Sequence, residues 1–544
     1  MDMAQTASGE ISAEQQCALP ALIDRRSEES PGRLFMLFDD GDCWTYSEAQ
    51  KICRSTAAAL ADLGVCAGDR VLVWLPNGPD IVRISIALGY LGAVFVPINL
   101  ALRGGVLNHI IVNSGARIII AHQELASRLD PAVLGELDTL VAFGPMKDPI
   151  GSLRLLDQSA IAADPLRSLS SPYSAEPWTI HSIFYTSGTT GPSKGVLCSH
   201  RHTYQMSMRS FRYLNAGDRI LCSLPYFHIA AALTPYAVAA HGASMALISE
   251  FRTSEFWDKV RGTQSTTALI MGVMANFLLN QAPSPGDRRH TLKYVLQQPM
   301  TRSPLAFAER FGVNVYTQWD MTEMPPPIVS EVIDASSSRQ KGYCGRILPG
   351  SEVRIVDSAD REVAVGEVGE LIVRTHEAWV ITPGYHNMPE ASWKAWRNGW
   401  FHTGDTFRAD PEGNYYFVDR VKDSIRRRGE NISSIEVETE VLGFEGIQAA
   451  AAIAASSEHG EQEVLVVVEP KKGSRVDPKV LHEFLVPRMP HFMLPRYIRI
   501  LERMPRTLTE KIQKNVLREE GVTADTWDRE SAGISVRRET VKLA

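Results

Sequence analysis

Residues 185–196 read Tyr185-Thr186-Ser187-Gly188-Thr189-Thr190-Gly191-Pro192-Ser193-Lys194-Gly195-Val196, directly after the apolar pair Ile183-Phe184. An apolar strand feeding a loop this dense in glycine and hydroxyl residues predicts a phosphate cradle. Backbone N–H groups and Ser/Thr oxygens can surround phosphate oxygens, and Lys194 adds positive charge. The usual P-loop does not match, because it needs Ser or Thr after its lysine and Gly195 stands there. A nucleophile elbow of the form G-x-S-x-G does not match either, since Tyr185 replaces the first glycine. The rival reading is a flexible surface loop, which has no use for so specific a string.

Outward from this loop the chain alternates helical patterns with short β-branched runs. Helix is expected over 47–63 and 79–92, strand over 70–75 and 93–98, and the alternation continues through most of the first 400 residues. This is the signature of an α/β fold with sheets flanked by helices. Gly68-Asp69-Arg70 and Pro76-Asn77-Gly78 punctuate the elements as turns, and 168–177 suits a connector. Between 346 and 374 the pattern turns β-rich, with strands expected at 352–356 and 370–373 in a smaller antiparallel unit. After Arg420 comes a compact piece with a strand at 463–469, a helix at 477–488 and a strand at 497–501. The expected organisation is a large domain over 1–420, a small α+β domain over 421–523 and a polar tail over 524–544.

A chain of 544 residues buries a substantial core without disulfide staples. Lys+Arg 56 against Asp+Glu 63 gives a net charge of −7, so no overall positive field exists to hold nucleic acid or an anionic membrane. The expected partner is a small molecule. The seven cysteines are scattered and free of C-x-x-C spacing, which argues against a secreted disulfide scaffold and a cysteine-based zinc site and points to a cytoplasmic protein. The N-terminus lacks the charged and apolar regions of a signal peptide. The most apolar stretch, 230–248, contains Pro235, His241, Gly242 and Ser244, so a buried helix followed by a strand is expected there and no stable membrane insertion. The sequence sets no oligomeric state.

The loop at 185–196 closely resembles the phosphate loop of the AMP-forming acyl-activating ligases, which include acyl-CoA synthetases, peptide-synthetase adenylation domains and beetle-type luciferases. Further matches follow in that family's order: Pro225-Tyr226-Phe227-His228, Trp319-Asp320-Met321-Thr322-Glu323, Gly399-Trp400-Phe401-His402-Thr403-Gly404-Asp405, Asp419-Arg420-Val421-Lys422-Asp423 leading into Gly429-Glu430-Asn431-Ile432-Ser433, and Pro505-Arg506-Thr507-Leu508-Thr509-Glu510-Lys511. The matches span roughly residues 40 to 520. The resemblance implies a large N-terminal domain, a small mobile C-terminal domain, and two half-reactions at their interface: a carboxylic acid and ATP give acyl-AMP and pyrophosphate, then CoA gives the thioester.

The chemistry explains the residue types. A carboxylate attacking the α-phosphate meets a repulsion of about 4 kcal/mol between unit charges 4 Å apart at an effective dielectric near 20, so cations must cancel charge. By resemblance, Glu323 is the Mg²⁺ ligand, Thr322 a phosphate-contacting hydroxyl, and Thr186 through Gly191 with Lys194 the phosphate cradle. Lys511 resembles the lysine that spans substrate carboxylate and α-phosphate. Asp405 resembles the acceptor for the ribose hydroxyls, Arg420 the arginine for ribose or phosphate, and Trp319 the ring stacked on adenine, with a core tryptophan as the alternative. Lys422 falls at the family's hinge, about which rotation withdraws Lys511 and brings the Gly429-Glu430-Asn431 loop to the path of the thiol. Arg426, Arg427 and Arg428 are either a clamp for a CoA phosphate or a solvated charge run.

Departures from the family pattern bear on the substrate. Asp320 stands where the family has glycine beside the acyl pocket, Glu510 replaces the glycine before the terminal lysine, and the glycine-rich adenine-side segment reads Gln297-Gln298-Pro299-Met300. A carboxylate at that wall shortens the cavity or presents charge to the acyl group. His228 is a gate between acyl and pantetheine tunnels or a satisfied core histidine. The aspartate that pairs with an amino acid's ammonium group in peptide-synthetase domains is absent after Phe227, which disfavours an amino-acid substrate. The motif style is nearest the carnitine/crotonobetaine and medium-chain branch. Two rival functions stay open: a stand-alone adenylating enzyme that loads a carrier protein, and an inactive homologue that only binds.

Overall fold

The computed structural model describes residues 16–164, 166–186, 192–298, 304–334, 342–420, 425–427, 430–432, 434–456, 462–505, 512 and 514–536. Of the expected site residues, Ser187, Gly188, Thr189, Thr190, Gly191, Lys422, Gly429 and Lys511 lie outside these described residues.

One seven-stranded sheet runs in the order Arg154–Asp157, Thr139–Phe143, Ile118–His122, Arg70–Trp74, Val94–Pro97, Ile180–Thr186 and Lys194–Ser199. Its neighbours are parallel until the last pair, which is an antiparallel hairpin with Thr186 opposite Lys194. The central strand Arg70–Trp74 is buried from Val71 onward, as a parallel strand covered on both faces must be. Its neighbour helices form for local reasons. Tyr46–Asp62 starts with a capping box in which Thr45 and Glu48 satisfy each other's backbone N–H groups. Pro79–Leu91 has proline in its first turn and ends at Gly92, whose left-handed φ of 68° and 2.6 Å clearance to the Tyr173 ring exclude a side chain.

A second seven-stranded sheet has the order Asn314–Tyr316, Tyr294–Gln298, Thr267–Met271, Arg219–Cys222, Ser244–Leu247, Leu34–Phe38 and Cys43–Thr45, again parallel except for its final pair. The apolar stretch at 230–248 is here the buried helix Thr234–His241 followed by the buried strand Ser244–Leu247. Among the described residues no helix is long and apolar enough to cross a membrane. The β-rich region is larger than its expected span. Ser351–Val356 and Gly369–Thr375 belong to an antiparallel sheet that also takes in Gln318–Met321, Met324–Val329, Tyr343–Ile347, Trp400–Ala409 and Tyr415–Arg420.

The small domain opens with the hairpin Ile425–Arg427 and Glu430–Ile432, followed by the helix Ser434–Leu442. Its sheet orders Ile447–Ser456, Gln462–Pro470, Tyr497–Ile500 and Trp527–Asp528. The helix expected at 477–488 spans Pro478–Leu485, with Asp477 capping it through two backbone N–H groups. The segment expected as a tail from 524 differs. Trp527–Asp528 pairs with Tyr497–Ile500, Trp527 packs on the small domain's core, and Arg496 holds Asp528 at 3.3 Å and Glu530 at 3.2 Å. A polar composition hid this strand, because an edge strand needs only one apolar anchor and its charges serve pairing rather than solvation.

Candidate active site

In open α/β sheets the functional crevice lies beyond the carboxyl ends of the strands. Here that edge collects the motifs. The loop after Arg219–Cys222 carries Phe227 and His228, and Asn77 pins it by donating to the Leu224 and Ile248 carbonyls, both at 3.0 Å, and accepting from the Tyr226 N–H at 2.8 Å. Strand Tyr294–Gln298 ends in Gln297 and Gln298. The hairpin of Gln318–Met321 and Met324–Val329 presents Trp319, Asp320, Thr322 and Glu323, with Thr322 and Glu323 forming its turn.

Around the loop, Lys194 lies with its Nζ 4.8 Å from the centre of the Tyr385 ring, and the Tyr385 hydroxyl donates to Glu323 Oε1 at 2.8 Å. Glu323 and Tyr385 are both buried, and the Thr382 N–H binds the Glu323 carbonyl at 2.8 Å. Burial and the neighbouring Glu323 carboxylate push the Tyr385 hydroxyl well above its ordinary value, so it stays protonated and donating. Segment 382–386 is held beside the strand Lys194–Ser199 by a bridge between Val196 and Tyr385. Tyr385 was not singled out from the sequence. Its signal was the turn-rich string Pro383-Gly384-Tyr385-His386-Asn387, where an aromatic residue is fixed between punctuating residues.

Where the nucleoside is expected, the Trp319 indole N–H donates to Asp405 Oδ2 at 3.0 Å, and the Trp319 ring meets Phe407 edge-on at 5.3 Å. The two residues expected at adenine and ribose are thus in direct contact. Arg420 ends the strand Tyr415–Arg420, with Asp405 opposite it in register.

Where the acyl wall is expected, two of the departures, Asp320 and Gln298, share one network, while Glu510, Pro299 and Met300 lie outside the described residues. The Gln298 amide donates to Asp320 Oδ1, and the Gln318 amide donates to Asp320 Oδ2 at 2.7 Å and to Ser210 Oγ at 2.8 Å. Although Asp320 keeps some exposed surface, desolvation pushes its carboxyl up to about 6 against the pull of both amides and of the Arg426 charge. Gln318 carried no expectation from its sequence position. Its partnership with Gln298 joins two strand ends 20 residues apart.

The small domain completes the edge. His228 Nε2 lies 3.4 Å from Glu430 Oε2, and Arg426 lies close enough to Asp320 to act on its charge. The structure therefore pairs Trp319 with Asp405, joins Lys194 to Glu323 through Tyr385, and sets His228 beside Glu430. Among the described residues no group of three or more His, Cys, Asp or Glu side chains is placed to hold a metal ion by itself.

Comparison with known proteins agrees with this fold. The AMP-binding enzyme family model matches residues 23–386, and the AMP-binding enzyme C-terminal domain matches residues 436–511. The crotonobetaine/carnitine–CoA ligase of Citrobacter koseri is 29% identical over 492 residues, covering 87% of this chain and 93% of that protein. The ligase of the same description from Escherichia coli is 29% identical over 497 residues with the same coverage. Among solved structures, a Bacillus subtilis o-succinylbenzoate CoA synthetase superposes with a TM-score of 0.78 at 21% identity, covering 92% of this chain and 98% of that one. A Mycobacterium tuberculosis fatty acyl CoA synthetase gives 0.63 at 24% identity, covering 93% and 98%. With both family models matched over most of its length, the chain belongs to the AMP-binding enzyme family, whose reaction here is ATP-dependent acyl-CoA ligation through an acyl-AMP.

Proposed function

We propose that this ligase activates a short carboxylic acid bearing a quaternary ammonium group, of the carnitine and crotonobetaine class. The observation that carries the reading is Asp320, a carboxylate at the acyl wall whose two oxygens are fixed by Gln298 and Gln318. Two polar side chains, Asp320 and Gln298, stand where the family has small residues, so long unsubstituted acids would press methylenes against charge. An ammonium group is the partner that such a site rewards. The names of the relatives at 27–29% identity support the same class.

The roles of the remaining residues follow. Lys194 and the loop it ends cradle the ATP phosphates, Asp405 and Trp319 hold the nucleoside, and Lys511 assists attack on the α-phosphate. Glu323 fits a Mg²⁺ ligand: a buried carboxylate beside a phosphate loop is the donor Mg²⁺ takes when it keeps its waters and shares phosphate oxygens. Bound there, the ion would neutralise charge on the phosphates. Lys422 is the hinge, and His228 and Glu430 line the thiol's approach. Its seven cysteines, all free, fit a reducing cytoplasm in which ATP and CoA are both at hand.

A second reading has its own support. Arg426 acts on Asp320 in this arrangement, which favours a neutral hydroxylated acid that leaves the carboxylate to the arginine. Pyrophosphate release and CoA-dependent AMP release, measured on carnitine, crotonobetaine, 3-hydroxybutyrate, butyrate and decanoate, separate the readings. The ammonium acids should lead by at least ~10-fold in kcat/KM, a difference of about 1.4 kcal/mol. A lead for 3-hydroxybutyrate selects the second reading, and a lead for decanoate overturns both.

A further inference from the structure

The loop at 185–196 is gripped on both limbs by one face of a single helix. On helix Gly104–Ser114, His109 and Asn113 stand four residues apart and so share a face. His109 Nε2 donates to the Ser193 carbonyl at 2.9 Å, on the limb that leaves the loop. Asn113 Oδ1 accepts from the Tyr185 hydroxyl at 2.7 Å, on the limb that enters it. Burial pushes the Tyr185 hydroxyl up from its ordinary value, so it stays protonated and donating. The Tyr185 ring crosses its strand partner Gly195, where a Cβ would come within 3.1 Å of the ring and 2.8 Å of Ile183. Glycine after Lys194, the feature that breaks the usual P-loop pattern, therefore has a packing cause here.

The same helix end holds the segment that carries Tyr385. The Asn387 side-chain amide donates to the Asn113 carbonyl at 2.9 Å, His386 Nε2 donates to the Ser114 carbonyl at 3.2 Å, and the His386 N–H binds the Gly195 carbonyl at 2.7 Å. Asn387 has a left-handed φ of 52°, a conformation that asparagine adopts more readily than most residues. Asn113 thus bonds to the entry of the loop through its side chain and to the Tyr385 segment through its carbonyl. We propose that Asn113 is a positioning residue that fixes, through Tyr185 and Asn387, the spacing between Lys194 and Glu323 across which the ATP phosphates lie. Lys194 follows Tyr185 because the ring covers Gly195, and Glu323 follows 385–387 because the Tyr385 hydroxyl holds its carboxylate. The proposal rests on the ligase reading above and adds to it a residue outside every matched motif.

The test uses the full chain and the best acid of the panel, with adenylation followed by ATP–pyrophosphate exchange and ATP binding by calorimetry. Asn113→Ala and Tyr185→Phe each remove the same hydrogen bond. Each should raise the KM and the calorimetric Kd for ATP by ~5-fold, the effect of one neutral hydrogen bond, and leave the KM for the acid within ~2-fold. Thioester formation from preformed acyl-AMP, which needs no ATP, should stay within ~2-fold in a single turnover. The double variant should rise no further than either single one, because its second substitution has nothing left to remove. A rise of ~25-fold in the double variant, the product of the two single effects, overturns the proposal, since the residues then act separately. Equal rises for ATP and acid overturn it as well, because they mark a general loosening, and so does unchanged ATP affinity in both single variants. Should Asn113→Ala fail to fold, Tyr185→Phe decides alone by the same comparison of ATP with acid. Absence of exchange by the wild-type enzyme with every acid defeats the ligase reading instead, which keeps the two failures apart.

Discussion

The indole N–H of Trp319 donates to the carboxylate of Asp405 at 3.0 Å, so the residue expected under the adenine also aims the residue expected at the ribose. Asp405 is 5% exposed, and a buried carboxylate held by a side-chain donor keeps a fixed orientation. Trp319→Phe retains an aromatic face and removes the donor. The KM for ATP in the exchange reaction should rise by ~10- to 100-fold, corresponding to about 1.5–3 kcal/mol for a hydrogen bond to a charged group, with the ranking of acids unchanged. An unchanged KM would show that Asp405 is oriented by its strand alone.

Tyr385 stands beside the phosphate side of the proposed nucleotide site. Its hydroxyl holds Glu323 Oε1 at 2.8 Å and its ring faces Lys194. Tyr385→Phe preserves the cation–π face and deletes the hydrogen bond, so Glu323 loses its orientation while Lys194 keeps its support. The Mg²⁺ concentration needed for half-maximal exchange should rise by ~10-fold, and the rate at saturating Mg²⁺ should recover to within several-fold of wild type. A rate loss that Mg²⁺ does not relieve would place the hydroxyl on substrate instead.

What the sequence disclosed divides along physical lines. Elements with strong periodicity and caps were legible to within a residue or two: 47–63 is Tyr46–Asp62, and 79–92 is Pro79–Leu91. Local strings also pointed to Glu323, Asp405, His228 and Lys194, because each sits in a motif. Contacts between strings were not legible. Gln318 and Gln298 meet Asp320 only because two strands end at one sheet edge, and Tyr385 reaches Glu323 only because 382–386 is bridged to the phosphate-loop hairpin. The edge strand Trp527–Asp528 escaped for a related reason, since two residues carry no periodicity to detect.

With Asp320 at the acyl wall as proposed, substrate choice should depend on pH. Its carboxyl moves from an ordinary 3.8 to about 6, so the free enzyme carries this charge only above pH about 6. For an ammonium acid kcat/KM should therefore rise through pH about 6, and Asp320→Asn should flatten that rise and lower the plateau by ~10- to 100-fold. For butyrate the variant should be equal or better. The sign for stability is opposite. A carboxyl raised by folding contributes fully below pH 3.8 and loses that contribution as pH climbs through about 6, so Asp320→Asn should melt above wild type at pH 8 and alongside it at pH 4. A pH profile for ammonium acids that keeps its rise in the Asn variant would assign the titration to another group.

The placement of Arg426 and Glu430 depends on Arg427 between them. Its side chain is 3% exposed, pairs with the buried Glu463 at 2.6 Å, and donates through Nη1 to the Phe492 and Leu494 carbonyls at 3.0 and 2.9 Å. One strand of the hairpin is thereby anchored to the small domain's sheet and to the loop after Pro478–Leu485, while Arg426, on the opposite face, is left to the large domain. Arg427→Met strands the Glu463 charge and two carbonyls, a loss of about 3–5 kcal/mol for breaking one side of a buried pair. Hydrogen exchange over 425–442 should accelerate by at least ~10²-fold while exchange in the strand Arg70–Trp74 is unaffected, because the two domains have separate cores. Replacing Glu463 with Leu in the same chain should recover part of that protection, since no lone charge is left buried. Catalysis should follow the hairpin: ATP–pyrophosphate exchange persists and thioester formation falls. Equal protection in wild type and Arg427→Met would mean that the sheet, and not this ion pair, holds the hairpin in place.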